Sequence, residues 1–207
     1  MPSGQVIAGD PFALLSDDIA PFALTVAPGR YPVRLVLGHY FVPADPARPD
    51  ELGEDLRVVL AVLCLGRGTP MRWENALPPE VGPLPDDELW CYPVDSGSGA
   101  FLDASALSVL HWRYANEPAF VQQIVDAIGA HYTPTYDWAD IEIELNLGAN
   151  LVTFATYSGD GEYASYWGYN ADDRPLCLVT DFEGLDAEVW QSLDGQWQDV
   201  LKGSRIR

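Results

Sequence analysis

Apolar and polar positions fall into short blocks along this chain, and most of the blocks predict strands. In DIEIELNL, Ile141, Ile143, Leu145 and Leu147 alternate with Glu142, Glu144 and Asn146, the period-two pattern of a strand with one buried face. Gly148 then turns the chain into NLVTFATY, Ser158-Gly159-Asp160-Gly161 turns it into EYASYWGY, and Asn170-Ala171-Asp172-Asp173 leads to PLCLVTDF. These four strands, joined by short turns, predict one antiparallel meander. The N-terminal third also reads as β: PFALTV at 21–26, closed by Pro28-Gly29, then YPVRLVLGHYFV. DLRVVLAVLCLG, 55–66, is continuously apolar and predicts a fully buried strand. Between the last two, PADPARPDELGED at 43–55 is polar, acidic and rich in proline, which predicts a mobile surface loop. Arg72-Trp73-Glu74 opens a short element that PPEVGPLPDDE, 78–88, breaks as a second surface loop.

The middle of the chain changes period. Asp103 precedes ASALSVLHWRYAN as an N-cap, its carboxylate placed to accept from the free amides of the first turn. Pro118 stands where the first residue of a second helix belongs. Phe120, Val121, Ile124, Val125 and Ile128 follow at helical spacing, a stripe expected to lie on a sheet. The expected fold is α+β: a single domain over 1–207, mostly antiparallel β-sheet, with two central helices packed on one face.

Composition agrees with one core. The 207 residues are 48% hydrophobic and 12% aromatic, and 17 prolines with 18 glycines favour short elements over long helices. Charge changes the picture more. Against 31 acidic residues stand 11 basic ones, a formal net charge of −20, which repels phosphate backbones and excludes nucleic acid as a partner. Such a surface confers solubility or steers a basic protein towards it. The start, MPSGQVIAGDPF, lacks the pattern of a secretory signal, and Val58 to Leu65, the longest apolar stretch, is too short to span a bilayer. A cytoplasmic protein without membrane contact is expected. Cys64, Cys91 and Cys177 make no close pair, and the first and last lie in apolar runs as buried thiols.

The sharpest chemical question is VDSGSG, 94–99, which spells like the catalytic loop of an aspartic protease. That chemistry needs two carboxylates sharing a proton, hence two such loops facing each other. Asp160 is followed by Gly161 and Asp181 by Phe182, so neither supplies the second. Gly97-Ser98-Gly99 lacks the spacing of a nucleophile elbow, and a phosphate loop has no lysine to use, since Lys202 is the only one in the chain. His39, His111 and His131 are scattered, and SGDGEY offers too few oxygens for calcium. No metal and no cofactor is expected. The stretch VDSGSG instead reads as a tight loop in which a buried Asp95 bonds nearby backbone amides, and SGDGEY as a hairpin turn.

In EYASYWGY, alternation puts Tyr163, Ser165, Trp167 and Tyr169 on one face and Glu162, Ala164 and Tyr166 on the other. One row must be core, and aromatics left outside are favoured anchors for a partner. Several blocks also carry a family resemblance: GQVIAGDP, APGRYPV at 27–33, Trp73-Glu74-x-Ala76, YPVDSGSGAFLD and SGDGEYASYWGYNADDRPLCLVTDF. In that order they resemble the bacterial family known as domain of unknown function 4241, over nearly the whole chain. The chain departs from the family pattern at Pro93 and Asn170, where the family carries Gly and Asp. The resemblance implies a single domain and no particular reaction. By analogy with small acidic domains that neutralise toxins, an immunity-like role is one expectation.

Two functions stay open. The first is a non-catalytic protein-binding domain that meets a basic partner through the turns 92–99 and 158–173, where Asp95, Ser96, Asp160, Asp172 and Asp173 would surround Tyr92, Tyr163 and Tyr166. The second is a hydrolase or small-ligand enzyme using Asp95, Ser96 and Asp160 around one pocket.

Overall fold

The computed structural model describes all residues except 46, 86, 134, 145, 183–195 and 203–207, so the expected inward placement of Leu145 lies outside the described residues. Ten strands are described: β1 (Val6–Gly9), β2 (Val33–Asp45), β3 (Arg48–Cys64), β4 (Arg72–Asn75), β5 (Cys91–Val94), β6 (Ser98–Asp103), β7 (Trp138–Glu144), β8 (Ala149–Ala155), β9 (Gly161–Tyr169) and β10 (Pro175–Asp181). Helices α1 (Leu107–Asn116) and α2 (Phe120–Ala130) follow β6, and α3 (Trp197–Lys202) comes last. The strands form two antiparallel sheets. One is four-stranded, in the order β1-β6-β8-β7; the other is six-stranded, β2-β3-β10-β9-β4, with β5 sharing the outer side of β9.

The sheets pack face to face, with helices α1 and α2 behind the first and α3 behind the second. Strand alternation explains the layering. In β6, Phe101 points into the core between the sheets, whereas Ala100 and Leu102 meet Leu110 of α1 and Phe120 and Ile124 of α2. In β10, Leu178 faces the inter-sheet core and Val179 faces Trp197 and Val200 of α3. The aromatic row of β9 is core as its alternation requires: Tyr163, Trp167 and Tyr169 all lie between the sheets. In the same layer the hydroxyls of Ser165 and Thr180 meet at 2.8 Å.

Several expectations are corrected. The four C-terminal strands exist, but they do not form one meander: β7 and β8 belong to the first sheet, β9 and β10 to the second. The turn at 156–160 carries the chain across the sandwich instead of closing a hairpin. Residues 21–26 form no strand; Phe22 and Val26 bond singly to Val6 and Gly4, and only Thr25 makes an isolated bridge, to Gln5. The stretch 43–55 is no loop. It is the outer part of a long hairpin in which β2 and β3 pair from Val33↔Leu63 out to Asp45↔Arg48. Asp45 closes its tip by accepting from the Ala47 amide at 2.9 Å. Prolines 43 and 49 are tolerated because a two-stranded ribbon has two free edges, where a missing N–H breaks no ladder bond.

In the helical region Asp103 caps as expected, accepting from Ser105 N at 3.0 Å, although the first turn is a 3-10 turn over Ala104–Ala106. Pro118 lies two residues before α2 begins at Phe120, and Val125 points to solvent, 44% exposed. Cys64 and Cys177 are buried and stand directly opposite each other on β3 and β10. Burial pushes both thiols above their ordinary range. A thiol reagent applied to the folded protein should therefore label Cys91 first, and Cys64 and Cys177 only after denaturant is added. Equal labelling of all three before unfolding would contradict this packing.

Candidate functional site

The two loops singled out in the sequence do meet. The turn after β5 carries the chain from the second sheet to the first, and the turn after β8 carries it back, so both lie at the same end of the sandwich. Gly97 (φ 67°) and Gly159 (φ 86°) both take left-handed backbone, which their lack of a side chain permits. Thr156 ties them together. Its amide donates to Gly97 O at 3.0 Å, and its hydroxyl reaches Gly97 O at 3.1 Å and Gly159 O at 2.6 Å. The Tyr163 hydroxyl donates to Gly159 O at 2.8 Å from below.

The buried acid of this cluster is Asp10, not Asp95. Asp10 follows β1 and is 4% exposed. Its Oδ2 accepts from the amides of Asp95 (2.9 Å) and Ser96 (2.8 Å), and its Oδ1 from the amide of Phe12 (2.8 Å). The side chains of Asp95 and Ser96 are consequently exposed, as is Asp160. Sequence reading assigned the right bonds to the wrong carboxylate. The available signal was Asp10-Pro11-Phe12, an Asx-type turn that begins at the end of one of the resemblance blocks.

Other candidate residues are dispersed. Tyr92 and Tyr163, expected as surface anchors, are 2% and 7% exposed and belong to the inter-sheet core. Burial drives the Tyr92 phenol well above its ordinary range, and burial with the nearby Asp181 charge pushes Tyr166 up to about 12. Asp172 and Asp173 sit beyond the far end of β9 from Asp160, a strand of nine residues away, or about 30 Å. There Asp173 meets Arg72 at 3.0 Å, and Arg72 also lies 4.2 Å over the Tyr169 ring. Among the described residues no three His, Cys, Asp or Glu side chains gather as metal ligands. None of the described helices is long and apolar enough to cross a membrane.

Two surface features went unread in the sequence. The first is the outer hairpin. β10 pairs with β3 only over Leu60–Cys64, and the Leu56 backbone is held by the Thr135 hydroxyl, so it is beyond Asp55 that the hairpin continues as a two-stranded ribbon. On one of its faces Phe41 (61% exposed) and Leu52 (59%) lie near each other, because Phe41 pairs with Glu54 and Pro43 with Leu52. His39 stacks beside Phe41 at 4.9 Å. At its root, Tyr40 packs on Tyr157 at 5.3 Å and Arg57 bonds Tyr157 O at 3.0 Å, which sets the ribbon beside the Asp95–Asp160 cluster. The second feature is a cleft of about 790 Å³ on the open side of the sandwich, between β2 and β7. Val33, Leu35, Val152 and Phe154 line it with apolar surface, and Trp138, Asp140, Glu142 and Arg30 stand around it. Asp95, Ser96 and Asp160 take no part in it.

A family comparison covers this whole arrangement. Residues 1–180 match the model described as Protein of unknown function (DUF4241). The chain belongs to that family. No curated protein and no solved structure matches it. The DUF4241 match takes in both sheets, the two central helices and the ribbon, and stops short of α3. At Asn170 the side-chain oxygen accepts from the amides of Asp172 and Arg174, both at 2.9 Å. An aspartate could accept the same two bonds, so residue 170 serves the turn.

Proposed function

We propose that this DUF4241 protein is a protein-binding domain without chemistry of its own, an immunity-like or regulatory module that meets a basic partner. The observation that carries the reading is the ribbon, with Phe41 and Leu52 held out in solvent and Asp50, Glu51 and Glu54 around them. A lone two-stranded ribbon is only marginally stable in water, and apolar side chains on it lose nothing by being covered. The exposed Asp95, Ser96 and Asp160 extend the acidic surface at the ribbon's root. Asp172 and Asp173 belong to the far end of β9 and are left out of the contact. The net charge of −20 supports a basic partner by steering its approach. The hydrolase alternative gains no support, because its three candidate residues are exposed and take no part in the cleft.

The test couples partner capture with kinetics. A partner captured from the source cell should associate fast at low salt and markedly more slowly as salt rises, since charge attraction is screened over about 8 Å at physiological ionic strength. Replacing Phe41 and Leu52 together with serine should speed dissociation about tenfold or more while leaving the melting temperature unchanged. Neutralising Asp50 and Glu54 should instead slow association. An acidic partner, or rates indifferent to both salt and the ribbon variants, would sink the proposal.

A further inference from the structure

The cleft between β2 and β7 is flanked by two strand edges that pair with no further strand among the described residues. In β2 the phase of the ladder is set by Cys64 N–H, which donates to Pro32 O at 2.9 Å. Antiparallel pairing then turns the backbone groups of residues 32, 34 and 36 towards β3, and those of Val33 and Leu35 away from it. In the same way Ala155 N–H donates to Asp137 O at 3.0 Å, which leaves the groups of Trp138 and Asp140 pointing away from β8. β2 and β7 are the last strands of their sheets on this side, so no described strand meets these groups.

The side chains facing the gap differ between its lips. From β2 come Val33 and Leu35; from β7 come Asp140 and Glu142. Asp140 already accepts from the Asn150 amide, and Arg30 is the one basic side chain of the lining among the described residues. β7 has a register shift between Glu142 and Glu144, which spoils its edge for regular pairing, whereas β2 is regular from Val33 to Val36.

We infer that the cleft takes an extended segment of another protein, added to the free edge of β2 as a new strand, with apolar residues and arginine or lysine at alternate, inward-facing positions. Main-chain bonds to Val33 and Leu35 would hold the segment, as in other cases of strand addition. Its apolar residues cover the floor of the cleft. The basic side chain lays its hydrocarbon stem along Val33 and Leu35 and brings its charge to Glu142 and Asp140 across the gap. This does not rest on the ribbon reading, since it uses a different edge and different residues.

The test uses the full chain and a short capped peptide, Thr-Val-Thr-Arg repeated twice, as probe. Amide hydrogen exchange at Val33 and Leu35 should slow about tenfold or more on adding it, while Phe41 on the ribbon is unaffected. Two N-methylated forms of the probe carry the same charge but lose opposite sets of alternate N–H donors. One should bind like the parent and the other about tenfold or more weaker, because only one set faces β2. Glu142→Gln should weaken the unmodified probe several-fold and leave the exchange of the free protein unchanged. The inference is overturned if millimolar probe leaves Val33 and Leu35 unprotected. It also fails if the two methylated forms bind alike, which would mean charge attraction alone, or if protection falls on the ribbon instead.

Discussion

Asp10→Ala should destabilise the protein by about 3 kcal/mol, because it strips a buried charged acceptor from three backbone N–H groups at once. For a chain of this size that corresponds to a fall of about 6–12 °C in melting temperature. Asp95→Asn, by contrast, should shift stability by no more than about 0.5 kcal/mol, since the Asp95 side chain is exposed and only its amide is engaged. Thermal melts of the two variants beside the parent decide the matter. If Asp95→Asn proves the costlier change, the assignment of the buried acid to Asp10 is wrong. Exchange of the Asp95 and Ser96 amides adds a local check: it should quicken in Asp10→Ala before global unfolding sets in.

The second large effect concerns Asp103, which is 1% exposed and tethers the N-terminal segment to the start of the helical region. Its carboxylate accepts from the Ser3 amide (3.0 Å), the Ser3 hydroxyl (2.7 Å), the Gly4 amide (3.1 Å), and the Ser105 amide (3.0 Å) and hydroxyl (2.5 Å). Burial pushes this carboxyl up, but the hydrogen bonds from Ser105 and Ser3 together outweigh it and hold the group below the ordinary carboxylate range. A lowered folded value means the charged form is favoured by folding. Its contribution is complete above the unfolded pKa of about 3.9 and is lost as pH falls through the lower folded value. Asp103→Asn should therefore cost about 2–3 kcal/mol near pH 7, and the gap to the parent should narrow steadily below about pH 4. A gap that stays constant across that range would show that the charge of Asp103 is not what the five donors stabilise.

Several elements could be read directly from the residues. The alternation in EYASYWGY told which residues of β9 share a face, though not which face is buried, since a strand's period of two is local geometry and needs no knowledge of the partner. Asp103 was legible as a cap for the same reason: its acceptor and the Ser105 amide are two residues apart. The apolar run 55–66 identified the central strand β3, and the stripe from Phe120 to Ile128 identified a helix lying on a sheet. The two glycine-rich turns were recognised as turns, and they do share one locale.

What the residues left undetermined was which groups, distant in sequence, meet. Strands pair through backbone N–H and C=O groups that are the same at every position, so the order of β7, β8, β9 and β10 in two sheets carries no label in their side chains. For the same reason the proline-rich stretch 43–55 read as a loop: its register with β2 exists only once both strands are extended beside each other. The amides of Asp95 and Ser96 needed a carboxylate, and any nearby acid satisfies that need on paper. Only the closing of β1 against β6 brings Asp10, more than eighty residues away in the chain, to within 3 Å of them. Side-chain pattern thus determined the strands β3 and β7 to β10, the two central helices and which of their residues share a face, whereas the tertiary pairing decided the acid that builds the loop, the ribbon at 43–55 and the edges left open at the cleft.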